Sequence, residues 1–247
     1  MATSLTSTPA NVETFARTDA PRAQRLPRWF GVGMAVAAIG VLVAGFAPSF
    51  YARPRTMPPL RAIVIAHGML FSSWILLFLV QTAFVATHHL RIHRWLGYAG
   101  ACLATIMVVT APLMAVSLAR RGQPDGDPLV FMLVIVVDVL MFGVLAAAAI
   151  YHRRRGETHR RLMLLAMITL LPPAISRWPY VVRHPVAGMM VVMLAFIVAA
   201  PLADLLSGRR PHPISLWGGL LLVVSMPLRF AVAQTAAWHQ FARWLIS

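Results

Sequence analysis

Apolar residues fall along this chain in long unbroken runs, separated by short polar stretches rich in Arg, His, Pro and Gly. Within a run, neighbouring positions do not alternate as in a half-buried strand. Nor do they leave a polar stripe, as a surface helix would; the runs are apolar all round. A bilayer core of ~30 Å is crossed by about twenty helical residues. Seven runs reach that length: Trp29–Phe50, Leu60–Ala86, His93–Ala119, Leu129–Tyr151, Arg160–Tyr180, Val186–Leu206 and Ile214–Ala237. Strands of a membrane barrel would be shorter and would alternate, so the pattern predicts an all-α polytopic membrane helix bundle of seven transmembrane helices. The fifth run is the least regular, because Pro172 and Pro173 interrupt it and Arg177 stands near its end.

The polar remainder sets the domain organisation. No polar stretch is long enough for a second core, so residues 29–247 read as a single transmembrane domain. Residues 1–28, rich in Ser, Thr, Pro and Arg, read as a disordered cytoplasmic tail. The first run exceeds the ~7–15 residues of a signal-peptide core and reads as an uncleaved span.

Composition supports the class: 59% of the 247 residues are hydrophobic and only 12% are charged, where a soluble domain carries about twice that charge. The net charge of +15 invites a nucleic-acid reading, but its distribution argues against one. The basic residues gather in short loops at the ends of the runs, where orientation signals belong. With the N-terminus inside, thirteen arginines fall on the cytoplasmic side and seven on the other, which predicts N-inside and C-outside. All 22 basic residues are Arg. Without a lysine there is no Schiff base, which excludes a retinal-type photoreceptor. The lone Cys102 lies inside a run and reads as a small packing residue. Neither an intramolecular disulfide nor a cysteine-based metal site is expected.

Two edges repeat a His-Arg sign. His93-Arg94 opens the third run and His159-Arg160 opens the fifth, both on the predicted cytoplasmic side. Basic groups there gain ~1 kcal/mol each from anionic phospholipid, and lipid phosphate is the expected partner of His93, Arg94, His159 and Arg160. The sharper alternative is haem, since two histidines at equal depth on different helices can ligate one iron. "HGMLFSSWILLFLVQ" (His67–Gln81), "HRWLGYAGA" from His93 and "HRRLMLLAM" from His159 carry a resemblance. Over roughly residues 60–180 the chain resembles a group of uncharacterised bacterial multi-pass inner-membrane proteins with paired HRxL motifs. More loosely it is similar to transmembrane b-type cytochromes and to small oxidase-assembly membrane proteins. The resemblance implies a multi-pass bundle in a bacterial inner membrane and transfers no activity.

Ionisable residues inside a span are costly and suggest function by default. Four stand out: His67, Asp138, Arg177 and Arg229. Counting 1.5 Å per residue places them roughly 10, 13, 5 and 12 Å from the outer ends of their runs, all in the outer half. Asp138 is the sole acid in the middle of any span, so it is expected to pair with Arg229 or Arg177. Pro172, Pro173, Pro179 and Pro227 break helices nearby, and broken helices at depth tend to line cavities. Ser72, Ser73, Trp74, Trp178 and Tyr180 are candidates to complete a pocket for a small ligand or a quinone. Three readings stay open: a ligand pocket, a structural ion-pair network, or arginines that reach separately to the headgroups. Asp204 is expected to be solvated beside Arg209 and Arg210, and Trp217, Trp238 and Trp244 to form interfacial belts. No Walker loop, nucleophile elbow, HExxH or dinucleotide fingerprint occurs, so no catalytic role is assigned; a haem protein, a transporter and a scaffold remain alternatives.

Overall fold

The computed structural model describes residues 25–57, 59–121 and 127–247. Residues 1–24 of the expected tail and residues 122–126 of the expected outer turn lie outside the described residues. Among the described residues every regular element is helical. The α-helices are α1 (Phe30–Phe46), α2 (Ala62–Ala86), α3 (Leu90–Ala119), α4 (Pro128–Tyr151), α5 (Gly156–Ile168), α6 (Pro172–Ile175), α7 (Pro179–Arg183), α8 (Pro185–Leu206), α9 (Pro213–Ala233) and α10 (Ala236–Ile246). A π-helical turn, Ala47–Tyr51, prolongs α1. The chain is an all-α polytopic bundle: six helices, counting α1 with its π turn, are long and apolar enough to cross a membrane.

The expected fifth span is not one helix but three short ones. Pro172 and Pro173 have no N–H to give to the carbonyls four residues back, so the ladder of α5 stops. The chain tightens instead: the N–H groups of Leu170 and Leu171 bond three residues back, to Met167 and Ile168. Trp178, ahead of Pro179, is extended, as a residue before proline prefers, and this separates α6 from α7. Arg161 in α5 touches Asp204 in the last turn of α8, so these two ends lie together. The 22 residues of α8 cover roughly 33 Å, so its start, next to α7, lies at the opposite end of the bundle. The broken segment α5–α6–α7 therefore runs from one end of the molecule to the other.

Helix α4 sits centrally, packed against α3, α5 and α9, and α1 packs against α2 and α6. Small residues make the closest contacts possible: Ala35 and Ala38 on α1, and Ala104 and Ala111 on α3, are buried. At Gly45 the α1 backbone meets the Ala174 carbonyl of α6 so closely that any Cβ would collide with it. Large apolar side chains cover the outside, among them Val144, Leu206 and Trp217, an arrangement suited to lipid rather than water.

The seventh run also ends earlier than expected. Helix α9 stops at Ala233, and Thr235 caps a separate amphipathic helix, α10, by accepting from the Trp238 N–H at 3.2 Å. The Trp238 indole donates to the Leu129 carbonyl at 3.0 Å and so ties α10 to α4, while Trp244 and Trp217 stay exposed. Cys102 is exposed on α3, not packed.

Candidate functional site

Asp138 and Arg229 meet. The Arg229 Nη1 donates to Asp138 Oδ1, joining α9 to α4, and both residues are about 6% exposed. Helical spacing completes the arginine's shell: Ser225, one turn before Arg229, accepts Nη2 on its hydroxyl at 2.8 Å and Nε on its carbonyl at 3.1 Å. Asp138 Oδ2 is buried and has no partner. Trp74 on α2 packs edge-on against Phe142, one turn beyond Asp138, and its indole N–H is also buried without a partner.

Arg177 does not join this pair. Its guanidinium donates to the Pro173 carbonyl and lies 4.5 Å from the centre of the Phe46 ring, a cation–π contact at the break in the fifth segment. Trp178 is half-buried, with an indole N–H that finds no acceptor. The Ser72 hydroxyl is used locally, bonded to the Gly68 carbonyl and the Tyr51 hydroxyl at 2.6 Å each, and Ser73 is exposed.

His67 stands apart again. Its ring lies 4.2 Å from that of Phe71, and no hydrogen bond reaches it; Nδ1 is fully buried. The imidazole lines a cavity of about 120 Å³ between α2 and α3, walled by Ile63, Ala66 and Leu70 on one side and Thr110, Leu113 and Met114 on the other. Asp138, Arg177 and Arg229 do not line it. Of the four ionisable residues counted to the outer half, this cavity takes in His67 alone.

The cytoplasmic-side expectations change more. Arg161 and Asp204 are both completely buried, and they form a two-pronged ion pair. Arg161 Nη1 and Nη2 each donate to a different Asp204 oxygen at 2.8 Å, and Nη1 also reaches the Ser215 hydroxyl at 2.8 Å. The His212 N–H donates to Asp204 Oδ2 at 3.1 Å, and Glu157 stands 3.7 Å from Arg161 Nε. Three helices, α5, α8 and α9, meet at this one clasp. Asp204 is therefore not solvated beside Arg209 and Arg210. Its phase on α8 carried the signal: Met193, Ile197, Ala200 and Asp204 repeat at helical spacing and are all buried. His212 sits in the loop before α9, and its Nδ1 accepts from the Ile214 N–H at 3.1 Å to cap that helix. Burial, with the Arg161 charge nearby, pushes its imidazole pKa below the usual value.

Arg160, expected against lipid phosphate, binds the segment before α1. It donates to the carbonyls of Leu26 at 3.0 Å and Pro27 at 2.6 Å, while Glu157 accepts from the Leu26 N–H at 3.1 Å. Leu26 is buried, so residues 25–28 of the expected tail are packed onto the bundle. The His93 and His159 rings lie 6.2 Å apart. His159 Nδ1 bonds the Ala149 carbonyl at 2.8 Å, His93 Nδ1 is buried without a partner, and Arg94 is exposed. Among the described residues no three His, Cys, Asp or Glu side chains gather as a metal site would need.

Fold and surface together define an integral, multi-pass membrane protein of the helix-bundle class. Comparison with protein families, with curated proteins and with solved structures finds no match.

Proposed function

We propose that this chain is a bacterial inner-membrane protein, N-inside and C-outside, that crosses seven times with a broken fifth crossing and binds a small lipid-soluble ligand in its outer half. The observation that carries the ligand reading is the cavity of about 120 Å³ beside His67, whose ring finds no hydrogen-bond partner and whose Nδ1 is buried. Asp138 Oδ2 and the Trp178 indole N–H are also buried without partners. An unpaired buried polar group costs ~1–3 kcal/mol, which favours a molecule that satisfies one of them. Anionic phospholipid around the exposed Arg91, Arg94, Arg153, Arg154 and Arg155 anchors the inner edge. The test uses mass action, since a ligand that binds only the folded state raises its stability. Delipidated protein returned to synthetic phospholipid should melt lower than protein that also receives the neutral-lipid fraction of the source membrane. Equal melting in both would contradict the reading.

A haem reading has one observation of its own, the 6.2 Å approach of His93 and His159. The bond from His159 Nδ1 to Ala149 leaves Nε2 for an iron, as metal-bound histidines are commonly arranged. Protein expressed with haem supplied would show a Soret band, lost when both histidines are replaced by Ala; a colourless wild type would end this reading.

A further inference from the structure

The ligand reading leaves open where the molecule sits and what it is. We infer that the cavity between α2 and α3 is a lateral site for a lipid-soluble ring compound that carries a hydrogen-bonding oxygen, a phenol or quinone ring, with His67 as its polar partner. The inference rests on the proposed ligand function and adds a place and a chemical class to it.

Position comes first. On α2 the residues Ile63, Ala66, His67 and Leu70 form one stripe at spacings of three and four, and this stripe faces Thr110, Leu113 and Met114 on α3. Ile63 and Leu113 are 39% and 61% exposed, so the cavity opens on the outer surface of the bundle, where lipid lies. A ligand can reach it from the bilayer without passing through the core.

Size decides next. An apolar cavity of about 150 Å³ holds a benzene ring and stays free of water. At about 120 Å³, partly open, this cavity suits a single six-membered ring with small substituents, the rest of the molecule remaining among lipid chains. A phospholipid headgroup is larger and charged, and no arginine lines the cavity to meet it.

Chemistry then narrows the class. The walls are aliphatic apart from Thr110 and His67, and the Thr110 hydroxyl already donates to the Ile106 carbonyl at 2.8 Å. His67 is the only wall side chain with a hydrogen-bond donor left to give, while the Thr110 oxygen can only accept. A neutral imidazole has one donor and one acceptor nitrogen, so it serves either a phenol hydroxyl or a quinone carbonyl. Ring stacking adds a surface: His67 and Phe71 already lie 4.2 Å apart.

The experiment is a ¹⁹F NMR titration of the full chain in phospholipid nanodiscs. The probes are 4-fluorophenol, which donates and accepts; 4-fluoroanisole, which only accepts; and fluorobenzene, which does neither. Saturable binding of 4-fluorophenol at least tenfold tighter than fluorobenzene is expected. The anisole then tells the two sources apart: binding close to the phenol's means that His67 donates, as to a quinone, and binding close to fluorobenzene's means that it accepts, as from a phenol. In His67→Leu the preference for the phenol should vanish. In Ala66→Phe, which fills the cavity from an exposed position, all three probes should lose saturable binding, with the melting temperature monitored for both variants. Equal affinity of phenol and fluorobenzene in the wild type, or an unchanged preference in His67→Leu, would overturn the role of the imidazole. If Ala66→Phe abolishes probe binding but still gains stability from the neutral-lipid fraction, the site is wrong and the ligand function survives. If no fraction stabilises any variant, the function itself fails.

Discussion

Breaking the Arg161–Asp204 clasp from either side should give two different costs. Both side chains are wholly buried, and removal of one partner from such a pair typically costs ~3–5 kcal/mol because the other charge is left uncompensated. The surroundings split that range. In Asp204→Leu the stranded Arg161 keeps the Ser215 hydroxyl at 2.8 Å and the Glu157 carboxylate at 3.7 Å, so the cost should sit near ~3 kcal/mol, more than a hundredfold in the folded-to-unfolded ratio. In Arg161→Met the stranded Asp204 keeps only the His212 N–H at 3.1 Å, which places the cost nearer ~5 kcal/mol. Replacing both together removes both charges and should recover most of the loss, because apolar side chains of similar volume often equal a buried pair. The assay is a double-mutant cycle of unfolding free energies, measured by steric trapping in bicelles. Single losses that simply add in the double variant would refute the reasoning, as would an Asp204→Leu cost larger than that of Arg161→Met.

Three further outcomes follow from the same geometry. Asp138→Asn should destabilise by ~3–5 kcal/mol by stranding Arg229, and Asp138→Leu with Arg229→Leu should melt well above that single variant; calorimetry in detergent decides, and a double no more stable than the single contradicts the pairing argument. His212 has a folded pKa below its usual value near 6.5, so the unfolded chain takes up the proton first; its stabilising contribution is full above about pH 6.5 and falls as the pH drops through that value. His212→Asn, which can still cap α9, should flatten that slope between pH 7 and pH 5, and an unchanged slope would place its origin elsewhere. Reporter fusions after Gly156 and at Ser247 should report opposite sides of the membrane, because the proposed fifth crossing makes three crossings between them; the same side for both would remove that crossing.

Class and axial order were readable from the chain because both follow from length and hydrophobicity. Runs of about twenty apolar residues have few alternatives in a bilayer, and Pro172-Pro173 marked the irregular segment through its missing donors. Depth along the normal was equally accessible, and it brought Asp138 and Arg229 to one level, where the chain pairs them. Depth says nothing about which way a residue faces around its helix. Counting places His67, Asp138, Arg177 and Arg229 in the same half, yet His67 points toward α3, Asp138 toward α9, and Arg177 back onto its own turn. Helical phase supplies the missing angle, and on α8 it would have turned Asp204 inward with Met193, Ile197 and Ala200. The partner of Asp204 was harder to see, since Arg161 lies 43 residues away in a cluster of basic residues that all resemble orientation signals. The packed segment before α1 was missed for a related reason: Leu26 is one apolar residue in a polar stretch, held by Arg160 and Glu157 rather than by any pattern of its own.

The central claim is that the outer half of the bundle holds a lipid-soluble molecule. The most direct measurement is native mass spectrometry of protein taken from its own membrane in a mild detergent, followed by identification of whatever remains bound. The account predicts one ring-bearing, lipid-soluble compound at close to one copy per chain in the wild type, depleted in Ala66→Phe, whose delipidated form melts with the delipidated wild type. Phospholipid alone, bound equally by both proteins, would contradict it.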